Sequence, residues 1–550
     1  MSDQQSGLAA PMDTGALVAE AADAIRTDNL LRAVEIARRG LDAGVIHPLL
    51  LHLRGHWLAD QDRIGEALQD LGRAKELAPN EPRIPNEIGE CLLKDDRFAD
   101  AVTAFEQALA LWPEFPLAHY NRGFALEALG ELREAEESYR RAARLDPNYA
   151  DPPARIGGLA AVRGDWSLAR SFADHALVLE KDNVTAILTK ARADIAEGAT
   201  DRAGLSLQSV IADDRKHPLE RANALSLLGD VRNAEGRTAE AFSCYETANA
   251  RFREAYAPRL GARGVEPTRA LISRIATYVD SQDENPPHAR ARPPLPGANG
   301  IAFVVGFPRS GTTLLGQILA SHPDTVTLEE KFPIVEADRN FLRTADGLEL
   351  LAQASERELQ RYRDSYWQFI RRFGLHVRDK LVVDKLPTHA MRLPVIARLF
   401  PQAKIVLAIR DPRDVVLSAF RRLFLVHAFT LELLDLKSTA QLYADMMNLT
   451  ELCRARLGLK WLDVRNEDVV THFDEQTQAL CTFLGLPWRE SMRNFGAHAR
   501  RSVIATPSSA QVIRGLTTDS VGQWRRYREQ LAPVLPILQP WIERYGYPAE

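Results

Sequence analysis

The chain has 550 residues, 45% of them apolar, with 69 Lys and Arg against 74 Asp and Glu for a net charge of −5. That length exceeds a single ordinary core, so two or more domains are expected. The near-balanced charge gives no basic field for nucleic acid or a membrane surface, and no run approaches the roughly 18 apolar residues of a transmembrane helix.

The first 25 residues lack a basic leader region and carry acids inside their apolar stretch, so no signal peptide is expected. Cys91, Cys244, Cys453 and Cys481 form no C-x-x-C pair. Neither a zinc site nor a disulfide framework is signalled, and four buried thiols in a reducing cytoplasm are expected.

Residues 15–255 repeat. Gly55, Gly89, Gly123 and Gly157 recur every 34 residues, each followed at twelve by Ala67, Ala101, Ala135 and Ala169, and seven further on by Ala74, Ala108, Ala142 and Ala176. Between the alanines stand Leu71, Phe105, Tyr139 and Ala173, and Pro79, Pro113 and Pro147 close three units. This is the tetratricopeptide period of two helices per unit. Glycine and alanine permit close helix crossing, and the large residue fills the groove. A worn first unit around Ala33, a degenerate sixth (Ala191, Ala203) and a seventh (Gly229, Ala241, Tyr245, Ala248) bring the expectation to about seven units. Such units bury their apolar faces only by stacking, so an α-solenoid with a concave surface for a peptide or protein is expected; the alternative is a scaffold that only packs on the rest of the chain.

Residues 256–300 read as a connection ending in the Pro-rich linker 285-NPPHARARPPLPGANG-300. From 301 to 545 the pattern changes. The runs 301-IAFVVG-306, 381-LVVDK-385, 404-KIVLAIR-410 and 460-KWLDVR-465 alternate with amphipathic stretches. Continuous Val/Ile/Leu runs between helices predict an α/β domain with a mostly parallel sheet covered on both faces. Ligands bind at the carboxyl ends of such strands, so one pocket should collect Arg309, Lys385 and Arg410.

The first of these ends is 306-GFPRSGTT-313. Gly306 and Gly311 keep the P-loop spacing, but Thr312 stands where the P-loop has lysine. Backbone N–H groups of Arg309–Thr313, the hydroxyls of Ser310, Thr312 and Thr313, and the charge of Arg309 suit a phosphate that is not transferred as a γ-phosphoryl group. In 404-KIVLAIRDPRDVVLSAFRR-422, Arg410 at the strand end, with Ser418 and Arg422 on the following helix, can hold a second phosphate.

The motif pair G-x-P-R-S-G-T-T and I-R-D-P-R-D-x-x-x-S resembles the sulfotransferase family, across about 301–545. The resemblance implies that the first loop holds the 5′-phosphosulfate of 3′-phosphoadenosine 5′-phosphosulfate (PAPS) and the second the 3′-phosphate, with no metal. With the repeats in front, the chain looks like bacterial tetratricopeptide-repeat sulfotransferases. The catalytic part is similar to the tyrosylprotein branch in four stretches: 322-HPDTVTLEEK-331, 384-DKLP-387, 461-WLDVRNEDVV-470 and 508-SSAQVIRGLTTDSVGQW-524. The resemblance implies Glu330 as base, Arg309 and Lys385 as charge stabilisers, and donor contacts from Ser508, Ser509, Gln511, Val512, Arg514 and Gln523, besides Gly311 and the loop hydroxyls. Asn466 replaces that branch's tyrosine, and Gln523 its lysine. A one-residue shift would pass the base to Glu329, and 385-KLPTH-389 offers His389 as an alternative, its bland reading being a helix cap.

The activity implied is sulfuryl transfer to a protein or peptide tyrosine recruited by the repeats. The alternatives are a small phenol, lipid or carbohydrate acceptor, or a non-catalytic scaffold carrying a nucleotide-binding relic. The acceptor, the ligand of the repeats and the oligomeric state are not fixed by sequence.

Overall fold

The computed structural model describes residues 13–282, 295–501, 512 and 515–549. Linker positions 285–294 therefore lie outside the described residues. By contacts the chain divides into two compact units: the residues up to Leu159 with Ser171–Ala186, and Ala160–Arg170 with Ile187 onward.

The N-terminal part is a solenoid-like run of seven helix pairs: Thr14–Arg26 and Leu30–Asp42 (α1, α2), Pro48–Asp60 and Ile64–Leu77 (α3, α4), Arg83–Lys94 and Phe98–Leu111 (α5, α6), Pro116–Ala128 and Leu132–Leu145 (α7, α8), Asp151–Val162 and Trp166–Leu179 (α9, α10), Val184–Ala196 and Thr200–Ala212 (α11, α12), and Pro218–Ala234 and Thr238–Ala262 (α13, α14). The small residues act as their spacing predicts. A Cβ placed on Gly89 would stand 2.4 Å from the Phe105 ring, and one on Gly123 would stand 2.7 Å from Tyr139. Only glycine admits that approach. Ala67, Ala101 and Ala135 are fully buried at the same crossings.

From Ile187 onward the last two pairs belong to the second unit, as does the helix Thr268–Asp280 (α15). Leu271, Ile272, Ile275 and Val279 of α15 enter the main core under the sheet.

The sheet has five parallel strands in the order β2-β3-β1-β4-β5: Gly300–Gly306 (β1), Thr325–Glu329 (β2), Leu381–Lys385 (β3), Lys404–Ile409 (β4) and Lys460–Arg465 (β5). Four strands fall where the apolar runs predict. β2 was not anticipated, because TVTLE is short and half polar and sits on the sheet edge. Along β1, Ile301, Phe303 and Val305 join one core and Ala302 and Val304 the other. Alternate side chains thus serve two covered faces.

Cys91, Cys453 and Cys481 are buried as expected; Cys244 is only half-buried. Among the described residues no helix is long and apolar enough to cross a membrane.

Candidate functional site

β1 feeds a turn and then the helix Thr312–Ala320 (α16). Gly311 caps that helix at φ +101°, and Arg309 holds φ +75°. A left-handed conformation is costly for a residue with a Cβ and gathers at functional sites. Here it aims backbone N–H groups and the Arg309 side chain into the space above the strand ends. The Ser310 hydroxyl is buried and has no hydrogen-bond partner. An orphaned hydroxyl at a helix N-terminus is the arrangement an anion completes.

β4 delivers Arg410, and the helix Pro412–Phe420 (α21) delivers Ser418. Arg309 Nε donates to Ser418 Oγ at 3.0 Å, which joins the two motifs. Arg410 donates through Nη1 to the Arg309 carbonyl at 3.2 Å and through Nη2 to the Ser520 carbonyl, while its Nε is buried without a partner. Asp414 accepts from the backbone N–H groups of Gly522 at 2.6 Å and Trp524 at 2.8 Å, and Arg413 lies 3.6 Å over the Trp524 ring. These contacts pin the C-terminal segment across the strand ends. Burial pushes the Asp414 carboxyl up, opposed by Arg410 and the two N–H groups.

Four guanidiniums converge here. Arg309, Arg410, Arg421 and Arg422 share a cleft with Ser418, Ser520 and Gln523. Burial, and then Arg422, Arg410 and Arg421, push the Arg309 guanidinium down to about 9. Crowded like charges with a buried orphan hydroxyl fit a polyanion. A neighbouring pocket is lined by Gly311, Thr313, Asn466, Val512, Leu516 and Thr517. Asn466 opens the helix Asn466–Thr471 and lies against Gly311, where a Cβ would meet its Oδ1 at 2.6 Å.

At the ends of β2 and β3 the glutamates meet the lysine. Lys385 is completely buried, 2.9 Å from Glu330 Oε1 and 2.7 Å from Glu329 Oε2, the latter an ion pair outside hydrogen-bond geometry. Burial opposes its charge, but Glu329 and then Glu330 outweigh it and raise the ammonium above its ordinary range. Glu330 sits at φ +52° and donates its backbone N–H to the Lys385 carbonyl at 2.9 Å. Its carboxylate enters a third pocket with Arg309, Thr312 and Thr313, walled by Leu386, Pro387, Phe424, His427, Phe429 and Leu433. Glu329 instead accepts from Gln317 Nε2 at 3.0 Å and packs on Gly316.

His389 caps no helix. It is fully buried, with Nε2 3.0 Å from Asp384 Oδ1, and the Tyr366 hydroxyl donates to Asp384 Oδ2 at 2.9 Å. It is a core residue because the 3₁₀ turn Pro387–Arg392 folds it back beneath β3.

Of the remaining residues singled out by sequence, Val512 is buried in the second pocket and Gln523 accepts from Arg421 at 3.3 Å. Arg422 pairs at 3.1 Å with Asp230. Ser508, Ser509, Gln511 and Arg514 lie outside the described residues. The sequence reading missed Arg421, although it adjoins Arg422, and the apolar wall Phe424–Phe429, which follows the motif without a signature of its own. It also missed Asp230, which lies in a repeat.

Residues 302–490 match the model of the sulfotransferase family and residues 86–150 a tetratricopeptide repeat model. An uncharacterized protein of Aquifex aeolicus is 28% identical over 261 residues, 44% of this chain and 34% of that protein. Protein-tyrosine sulfotransferase 1 of Danio rerio is 27% identical over 270 residues, 45% of this chain and 72% of that one. The omega-hydroxy-beta-dihydromenaquinone-9 sulfotransferase of Mycobacterium tuberculosis is 29% identical over 143 residues, 25% of this chain and 36% of that one. The chain thus spans about a third of the length of the first and third of these relatives.

Proposed function

We propose that the sulfotransferase-family domain of this chain moves a sulfuryl group from PAPS to an aromatic hydroxyl, a tyrosine in a protein or peptide, recruited by the repeats. The observation that carries the reading is the position of Arg309. It stands at once in the four-arginine cleft, in the pocket of Gly311 and Asn466, and in the apolar pocket that holds Glu330. An anionic donor and an apolar acceptor would therefore meet at one guanidinium.

The chemistry follows from charge. Sulfuryl transfer, like phosphoryl transfer, is an in-line displacement that needs position and electrostatics more than covalent help. The acceptor oxygen bonds to sulfur, the bridging S–O bond breaks, and 3′-phosphoadenosine 5′-phosphate leaves with the electron pair. Glu330 takes the hydroxyl proton. A phenol of pKa about 10 yields that proton to a carboxylate more readily than an alkyl alcohol does. Lys385 orients Glu330 and adds positive charge on the leaving side, while Arg309 and the loop N–H groups stabilise charge on the sulfuryl oxygens. Arg410, Ser418 and Arg422 hold the 3′-phosphate.

Calorimetry of 3′-phosphoadenosine 5′-phosphate against ATP is the first test. Binding of the former alone, lost in Arg410→Ala, is expected, and preference for ATP would sink the reading. Transfer from PAPS to a tyrosine peptide, abolished in Glu330→Gln, tests the acceptor. The apolar wall also suits a lipid alcohol, in line with the mycobacterial relative. Transfer to such an alcohol but to no peptide would decide for that second reading.

A further inference from the structure

The cleft has a wall from outside the sulfotransferase-family segment. Asp230, Asn233 and Ala234 of α13, in the last repeat pair, line it beside Arg309, Arg410 and Ser418. Asp230 divides its carboxylate between two neighbours on the far side. Oδ2 pairs with Arg422 Nη1 at 3.1 Å, and Oδ1 stands 3.8 Å from Arg421 Nη2. Asp230 is itself fixed, because the Tyr245 hydroxyl donates to Oδ1 at 2.8 Å and the Tyr245 ring is locked under Gly229, where a Cβ would come within 2.5 Å. Arg421 is further held over the rings of Tyr245 and Tyr527 at 5.1 and 5.4 Å.

Adjacent arginines repel, and Arg422 is 39% exposed, so an unheld side chain would sample many rotamers. One carboxylate offsets only part of four guanidiniums. It orders them and leaves the cleft cationic. Ordering before binding lowers the entropy cost of capturing an anion.

We infer that Asp230 is a positioning residue of the donor site: from the last repeat it holds Arg422 and Arg421 at the rim of the cleft and so sets the preference for a nucleotide that carries a 3′-phosphate. This rests on the donor reading above. The repeat pair α13–α14 is on this account part of the nucleotide site, apart from any role in recruiting an acceptor.

The test is calorimetry on the full chain with 3′-phosphoadenosine 5′-phosphate and with AMP, which lacks the 3′-phosphate. In Asp230→Asn the ratio of the two affinities falls about tenfold, the loss of one well-placed charged contact, while AMP binding is unchanged. Arg422→Gln lowers the ratio at least as far, and the two losses are less than additive in the double variant, because Asp230 acts chiefly through Arg422, the nearer of its two arginines. An unchanged or increased ratio in Asp230→Asn, or fully additive losses in the double variant, overturns the inference.

Tyr139→Phe removes the equivalent buried hydroxyl-to-carboxylate contact, that to Glu127 in the fourth helix pair, and neither residue lines the cleft. It leaves the ratio unchanged, and a fall equal to that of Asp230→Asn would assign the effect to packing and overturn the inference. Should Asp230→Asn not fold, Asp230→Glu keeps the charge, displaces it by one methylene and must still lower the ratio. A wild type that does not prefer the 3′-phosphate overturns the donor reading and this inference with it. A wild-type preference that survives every variant overturns this inference alone.

Discussion

Tyr139 in the fourth helix pair and Tyr245 in the seventh occupy the same place in their repeats and are built alike. Each ring is buried under a glycine whose Cβ would come within 2.7 or 2.5 Å of it. Each hydroxyl donates to a carboxylate of the preceding helix, Glu127 at 2.7 Å and Asp230 at 2.8 Å. Each carboxylate has an arginine within 4 Å: Arg155 lies 3.9 Å from Glu127, and Arg421 lies 3.8 Å from Asp230. The difference is where the arginine comes from. Arg155 is supplied by the following repeat and lies 4.8 Å over Phe124, which closes the network inside the repeats. Arg421 is supplied by the sheet domain and faces the anion cleft. The repeat motif fixes the interlock, and the partner of the carboxylate decides whether the interlock is scaffold or site.

Four experiments press on that division, from the largest effect down. Arg309→Ala removes the guanidinium that lines the arginine cleft and both neighbouring pockets. Its kcat falls about a thousandfold, as for loss of a preorganised donor, while thermal melting of the repeats is unchanged. A comparable fall from Arg155→Ala would erase the distinction. Gly123→Ala and Gly229→Ala each drive a methyl into a tyrosine ring and cost about 2 kcal/mol of stability, read by denaturant midpoint. Only Gly229→Ala also weakens binding of the 3′-phosphate nucleotide, and equal binding losses would contradict the assignment.

Tyr139→Phe and Tyr245→Phe leave a carboxylate short of one donor, at about 1 kcal/mol each. Again only the second changes nucleotide preference. The smallest effect is in pH. Burial, and then the neighbouring carboxylate, raise both phenols above their ordinary value. A raised folded pKa gives stability that is complete below the unfolded value of about 10 and is lost as pH rises above it, because the unfolded phenol ionises first. Melting curves between pH 8 and 11 should decline less steeply in either Tyr→Phe variant. A steeper decline would reverse the sign.

The repeats were legible because a crossing that admits only glycine opposite a large ring must recur wherever the helices cross. The sheet was legible where strands are buried on both faces, since Val304–Val305 and Ile405–Leu407 have no polar alternative to the core. β2 escaped because Thr325 and Thr327 suit a loop as well as an edge strand. In the site, the loop 306–313 and the Arg410–Ser418 pair were readable because spacing along one strand–turn–helix sets their geometry. The relation of Lys385 to Glu329 and Glu330 depends on strand order, which a sequence does not print. Asp230 was invisible for the same reason, standing 192 residues from Arg422. For His389 the sequence favoured a helix cap over a chemical role, and packing against Asp384 makes it a core residue instead.

The continuous part of the second unit begins in the sixth repeat, at Ile187, more than a hundred residues before β1. Phe242 stacks on Phe420 at 5.2 Å, Asn249 donates to the Phe420 carbonyl at 2.8 Å, and Arg269 of α15 pairs with Asp445 at 2.6 Å. The seam for genetic recombination therefore does not coincide with the linker. An exchange of repeat arrays that joined at residue 300 would strip Phe242 from Phe420 of the sheet domain, whereas a crossover upstream of Ile187 would carry α13–α15 along with it. A sheet domain kept whole therefore retains the final two helix pairs.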